Sequence, residues 1–146
     1  MATVPIKKLR EGAILPSYAT AQSAGADLYA CLEAPVTVRP HETEMIPLGF
    51  STALPAGWAG LIFARSGLAS KRDLAPANKV GVVDADYRGE WFIPLHNHGA
   101  VPQTVCPGER IAQLVIVPCM TAAFFEVAEL DETERGAGGF GSTGTT

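Results

Sequence analysis

No apolar run in this chain approaches the roughly 18 uncharged residues that a membrane-spanning helix needs. The opening stretch, MATVPIKKLREGAIL, lacks the apolar core of a signal peptide, so the expectation is a cytoplasmic protein with no membrane partner. Cysteine is scarce. Cys31, Cys106 and Cys119 are odd in number and widely spaced, which matches neither a disulfide framework nor a zinc site and fits a reducing compartment. Clusters of lysine and arginine are missing too. With 11 such residues against 15 aspartates and glutamates, the net charge of −4 argues against nonspecific binding to a nucleic-acid backbone. A few local arginines still suffice to hold one triphosphate on an acidic protein. There is no Gly-x-Ser-x-Gly elbow and no Gly-Lys-Ser/Thr step, so a serine nucleophile and a phosphate loop of that type are not expected.

What is present is apolar and β-like. The 146 residues are 47% apolar, enough for one domain with a real core. The pattern predicts strands at Ala26–Leu32, Val36–Arg39, Glu44–Leu54, Trp58–Ala64, Val80–Val83, Glu90–His96, Ile111–Pro118 and Ala123–Leu130. In the seventh, Ile111, Gln113, Val115 and Val117 alternate with Ala112, Leu114 and Ile116, the period of a half-buried strand. Turn signals stand between these runs, at Arg39-Pro40, Pro55-Ala56-Gly57, Tyr87-Arg88-Gly89 and Pro107-Gly108. Short strands at this spacing imply a sandwich, jelly roll or barrel. Only Ser66 to Asp73 has room for a turn or two of helix.

Three polar blocks interrupt the β pattern. Arg65-Ser66-Gly67 directly follows a strand; it reads either as an N-cap serine beside a surface arginine or as an anion site. Gly81 to Glu90, GVVDADYRGE, looks like a hairpin with the acidic pair and Gly89 at its turn. Its aspartates serve the turn, bind a metal, or act as a base. His96-Asn97-His98 puts two histidines on one side of a strand, but without a third ligand nearby the pair reads as a polar strand end. From Arg135 the chain runs RGAGGFGSTGTT. Its glycines carry a large ordering cost that only Phe140 offsets, so the segment is expected to be mobile in the free protein.

Taken in order, five blocks of this chain resemble the sequence motifs of the homotrimeric dUTPase family. They are AGADLYA from Ala24, RSGLASK from Arg65, the stretch Asn78 to Glu90, GERIAQL from Gly108, and RGAGGFGSTG from Arg135. Two departures are small: Val83 stands where the family often has isoleucine, and Ala64 where proline often precedes Arg-Ser-Gly. The resemblance implies an all-β jelly-roll domain over residues 1–134 and a mobile arm over 135–146 that closes on the active site. Three subunits would form a homotrimer whose active sites each draw on all three chains.

The activity it implies is hydrolysis of dUTP to dUMP and pyrophosphate, which keeps uracil out of DNA and supplies dUMP for dTMP synthesis. Asp84 matches the catalytic base. Arg65, Ser66, Gly67 and Gln113 match phosphate-binding positions. Asn78, Gly81 and Val83 belong to the segment that pairs with the uracil edge, and Tyr87 matches the residue packed on the deoxyribose. Phe140 matches the aromatic that stacks on uracil, while Arg135, Gly141, Ser142 and Thr143 close over the phosphates. Mg2+ is implied on the triphosphate, with Asp27 supporting it indirectly through water. Two rivals remain at this point: a dCTP deaminase of the same fold, and a nucleotide-binding regulator without the reaction.

Overall fold

The computed structural model describes residues 3–139. Eleven strands and one helix occur among them: β1 (Ile6–Lys8), β2 (Ala26–Tyr29), β3 (Val36–Val38), β4 (Thr43–Pro47), β5 (Phe50–Thr52), β6 (Trp58–Phe63), α1 (Ser66–Arg72), β7 (Leu74–Pro76), β8 (Gly81–Val83), β9 (Phe92–Asn97), β10 (Gln103–Val105) and β11 (Arg110–Pro118). The fold is the all-β jelly roll that the family resemblance implies. Its largest sheet runs β2-β11-β6-β8, a second runs β4-β9-β7, and the pairs β1-β5 and β10-β3 complete it. All pairings are antiparallel.

The inward faces meet in one core. Leu28, Val38, Ile46, Leu48, Phe50, Leu74, Ile93, Leu95, Val105 and Ile111 are fully buried, and Phe50 packs against Trp91 with ring centroids 5.5 Å apart. Each such aliphatic or phenyl side chain contributes about 1.5–3 kcal/mol of burial free energy. Asn97 is buried among them and fully engaged: its Nδ2 donates to the carbonyls of Val38 (3.0 Å) and Val101 (2.8 Å), and its Oδ1 accepts from Gly99 N (2.9 Å). The His96-Asn97-His98 step is accordingly a polar strand end, with His96 Nδ1 2.8 Å from Thr43 Oγ1.

Several sequence expectations need correction. The expected strand Glu44–Leu54 is two strands, because Gly49 turns the chain with φ +75. A Cβ there would lie 2.6 Å from Cys31 Sγ and 2.8 Å from Ala13 Cβ, so no other residue fits the corner. The expected hairpin Gly81–Glu90 is not one: β8 pairs with β6, whereas β9 pairs with β4 and β7, so the segment crosses between sheets. Ala123–Leu130 forms no strand, and no other segment pairs with it among the described residues. Strict alternation in β11 also fails at its start. A register shift between Arg110 and Ala112 leaves both Ile111 and Ala112 buried. This bulge lets Arg110 and Gln113, three residues apart, both face away from the core.

Candidate active site

The end of the largest sheet carries a charged network built from three neighbouring strands. Gln113 on β11 stands opposite Asp27 on β2 and opposite Phe63 on β6. Two residues past Phe63 comes Arg65, whose Nε donates to Asp27 Oδ1 at 2.8 Å. Arg110 Nη1 donates to the other carboxylate oxygen, Oδ2, at 3.1 Å. Arg65 Nη1 also reaches the Arg110 carbonyl at 3.3 Å. Gln113 Nε2 donates to the Ala64 carbonyl at 2.8 Å. Gly25 lies close against that amide: a Cβ at Gly25 would stand 2.5 Å from Gln113 Oε1. Two guanidinium groups share one carboxylate here, so the cluster keeps a net positive charge, fixed in position before any anion arrives.

Arg65 is the N-cap of α1, and its side chain makes no capping bond. The N-cap serine reading therefore fails, since Ser66 is the first helical residue and its carbonyl, not its hydroxyl, receives a bond, from Ser70 Oγ at 2.6 Å. The N–H groups of Ser66 and Gly67 precede the first intrahelical bonds, made by Leu68 and Ala69 to the Arg65 carbonyl. Nothing lies within 4 Å of where a Cβ of Gly67 would be, so that side is open to a ligand. At the far end of α1, Arg72 bonds Gln103, Thr104 and Glu109 and fixes the helix on the β10–β11 turn.

The other predicted residues lie along β8 and the segment after it. Asn78, Gly81 and Val83, with Ile62, Pro76 and Phe92, line a cleft of about 120 Å3. Gly81 closes it against Ile62, whose Cβ would be 3.2 Å from an added methyl. Tyr87, Val83, Met45 and Phe92 line an adjoining hollow of about 250 Å3. Asp84 is exposed, and among the described residues its carboxylate has no hydrogen-bond partner; its carbonyl accepts from Tyr87 N at 3.2 Å. Arg88 Nη1 closes the loop on the carbonyls of Ala85 (2.7 Å) and Tyr87 (3.1 Å).

One chain does not bring these two halves together. Val83 stands opposite Gly60 and Gly81 opposite Ile62, so β8 runs away from the end of β6 that carries Arg65. Asp84 and Arg65 lie at opposite ends of that ladder, roughly 20 Å apart at the rise of an extended chain. Arg135 lies further on, exposed, with its Nε on the Gly138 carbonyl at 2.9 Å. Phe140, Gly141, Ser142 and Thr143 fall outside the described residues. Sequence reasoning gave no role to Arg110, Arg10 or Glu90, whose partners are 41 to 83 residues away and leave no local signature.

Fold and site together define a jelly-roll domain that carries a fixed cluster of arginines on Asp27 and, apart from it, a cleft beside which the Asp84 carboxylate has no partner among the described residues. The sequence model of the dUTPase family matches residues 11–144. The deoxyuridine 5'-triphosphate nucleotidohydrolase of Maricaulis maris is 51% identical over 152 residues, covering 99% of each chain. The dUTPase of Staphylococcus bacteriophage 80alpha, solved with dUpNHpp, superposes with a TM-score of 0.85 at 30% identity, over 98% of this chain and 99% of that one. A dUTPase of phage phi11 of S. aureus, whose structure concerns a structural Mg(II) ion, gives 0.77 at 26% identity, over 87% and 97%. This chain belongs to the dUTPase family.

Proposed function

We propose that this protein hydrolyses dUTP to dUMP and pyrophosphate, in sites that form where copies of the chain meet. The observation that carries the reading is the split site: β8 runs from opposite Ile62 to opposite Gly60, so it carries Asp84 away from the end of β6 that leads to Arg65, although the chemistry needs both groups. A homotrimer joins the cradle of one copy to the cleft of the next.

Surface features support that assembly. After β11 the chain holds Met120, Phe124, Phe125 and Leu130 in solvent at 95%, 96%, 83% and 85% exposure, too much apolar surface for a lone subunit. An apolar groove of about 400 Å3, lined by Ile6, Leu15, Trp58, Leu114 and Ile116, is open as well. Two buried polar atoms that have no partner among the described residues, Thr52 Oγ1 and Trp91 Nε1, belong to residues lining it. Another copy would cover these surfaces.

In the reaction, Asp84 accepts a proton from a water as its oxygen bonds the α-phosphorus. The bond from that phosphorus to the bridging oxygen breaks, and pyrophosphate leaves with the electron pair. Arg65, the hydroxyl of Ser66, the N–H of Gly67 and the Gln113 amide bind the phosphate oxygens and stabilise their charge. Backbone groups of Gly81 and Val83 pair with uracil, and Asn78 assists. Cytosine, presenting a donor in place of an acceptor, would strand a buried group at a cost of about 1–3 kcal/mol. Tyr87 packs on the deoxyribose where a 2′-hydroxyl would clash. Residues 1–134 form the domain and 135–146 the arm, with Phe140 stacking on the base and Arg135, Gly141, Ser142 and Thr143 closing on the phosphates.

Mg2+ on the triphosphate would neutralise charge on the departing pyrophosphate. The residues fit an ion held that way. Among the described residues no three His, Cys, Asp or Glu side chains form a ligand set. Each Asp27 oxygen accepts one arginine bond and keeps a lone pair for a metal-bound water. Among the described residues no helix is long and apolar enough to cross a membrane. We place the enzyme in the cytoplasm, where Cys31, Cys106 and Cys119 stay free thiols.

Pyrophosphate release with Mg2+, offering dUTP, UTP, dCTP and dTTP in parallel, tests the reading. Release from dUTP alone is expected. Release from all four would refute the base and sugar selectivity, and release from none would refute the activity.

A further inference from the structure

Tyr87 is 45% exposed, yet its ring is not free. Its hydroxyl donates to the Glu90 carbonyl at 3.0 Å, folding the phenol back along its own loop. Gly89 makes the room. A Cβ there would sit 2.4 Å from the Tyr87 hydroxyl oxygen and 2.6 Å from Cζ, distances no side chain tolerates. The acceptor is itself held. Glu90 takes Arg10 Nε at 2.6 Å and Arg10 Nη2 at 2.9 Å in a two-pronged pair, and Gly49 N at 3.2 Å. The Gly49 carbonyl in turn accepts Leu9 N at 2.7 Å and Arg10 N at 3.2 Å. The next residue, Trp91, is tied through N to the Phe50 carbonyl (3.0 Å) and through O to Leu48 N (2.9 Å). The ring thus hangs from a fixed corner of the fold, 80 residues of sequence away from Arg10.

We infer that Gly89 and the Arg10–Glu90 pair are positioning residues for Tyr87, and through it set discrimination against ribonucleotides carrying a 2′-hydroxyl. This rests on the reading of Tyr87 as the sugar-packing residue. The physical point is that steric exclusion works only if the excluding wall stays put. A misplacement of about 1 Å is enough to cost a large factor in a positioned site. Arg10 is half exposed, and surface ion pairs add little to stability. Loss of the pair should therefore loosen the wall without unfolding the protein.

The test compares kcat/KM for dUTP and for UTP in the wild type and in Arg10→Met, Glu90→Gln, Gly89→Ala and the charge swap R10E/E90R, with thermal melts alongside. The dUTP/UTP ratio should fall about tenfold in Gly89→Ala and several-fold in Arg10→Met and Glu90→Gln, through faster UTP hydrolysis. Arg10→Glu alone, measured beside the swap, should lose more of the ratio than the swap does. A purely structural role would lower both substrates alike and leave the ratio unmoved. A ratio within twofold of the wild type in Arg10→Met, in protein that melts normally, would overturn the inference even if Gly89→Ala failed to fold. A wild type that ignores dUTP would instead overturn the functional reading, and this inference with it.

Discussion

The two halves of the site are built on opposite principles. In the arginine cradle, Asp27 gathers Arg65 and Arg110, Arg65 also bonds the Arg110 carbonyl, and Gln113 beside them is held on the Ala64 carbonyl. The cleft half keeps its carboxylate bare: Asp84 is exposed and its side chain has no partner among the described residues. The difference follows from the work each half would do. Donors aimed at phosphate charge help most when fixed in advance, because nothing then has to reorganise during reaction. A base must keep a lone pair open for the incoming water. The cradle's side chains meet within one chain, whereas β8 carries Asp84 away from them. The contrast therefore predicts where substitution hurts and which chain must carry it.

The largest effect is expected at Asp84. Asp84→Asn keeps the shape and removes the proton acceptor, so turnover should fall about 10²- to 10⁴-fold while binding of a non-hydrolysable dUTP analogue persists. Turnover within threefold of the wild type would take Asp84 out of the mechanism. Mixing chains sharpens the comparison further. Asp84→Asn and Arg65→Met, each inactive alone, should regain about a quarter of wild-type activity when refolded together one to one, since random trimers pair an intact cradle with an intact cleft at that frequency. Activity that stays at background would mean both halves act within one chain, and the shared site would be refuted.

Much of this is legible in the sequence, for a physical reason. β2, β6 and β11 carry enough alternation or apolar continuity to be read, and α1 lies where its short window allowed. β1 (IKK), β7 (LAP) and β10 (QTV) have three residues each, too few to show a period, and lack the paired valines that mark the equally short β3 and β8. Across Gly49 the apolar pattern runs on unbroken, because hydrophobicity does not record a positive φ. Ala123–Leu130 has the composition of a strand, but a strand exists only with a partner, and sequence does not say whether that partner is in the same chain. Asp27, Arg65, Gln113 and Asp84 were picked out by motif resemblance. Arg110 was missed because its outward aim depends on a bulge, and Glu90 because its meaning lies in contacts with Arg10 and Gly49.

The smallest expected effect separates bracing from charge within the cradle. In Asp27→Asn the side chain keeps its volume and loses the charge that gathers Arg65 and Arg110. Net positive charge rises by one, so attraction for a triphosphate should not weaken, and KM for dUTP should stay within about threefold. What is lost is fixed geometry, and kcat should drop about tenfold. The freed guanidinium groups are more open to solvent ions, so the variant's KM should climb more steeply with salt than the wild type's. Steady-state kinetics at low and high ionic strength read both parameters. A large rise in KM with kcat intact would mean that Asp27 contributes to binding rather than to alignment, and the cradle's advantage would then lie in its charge alone.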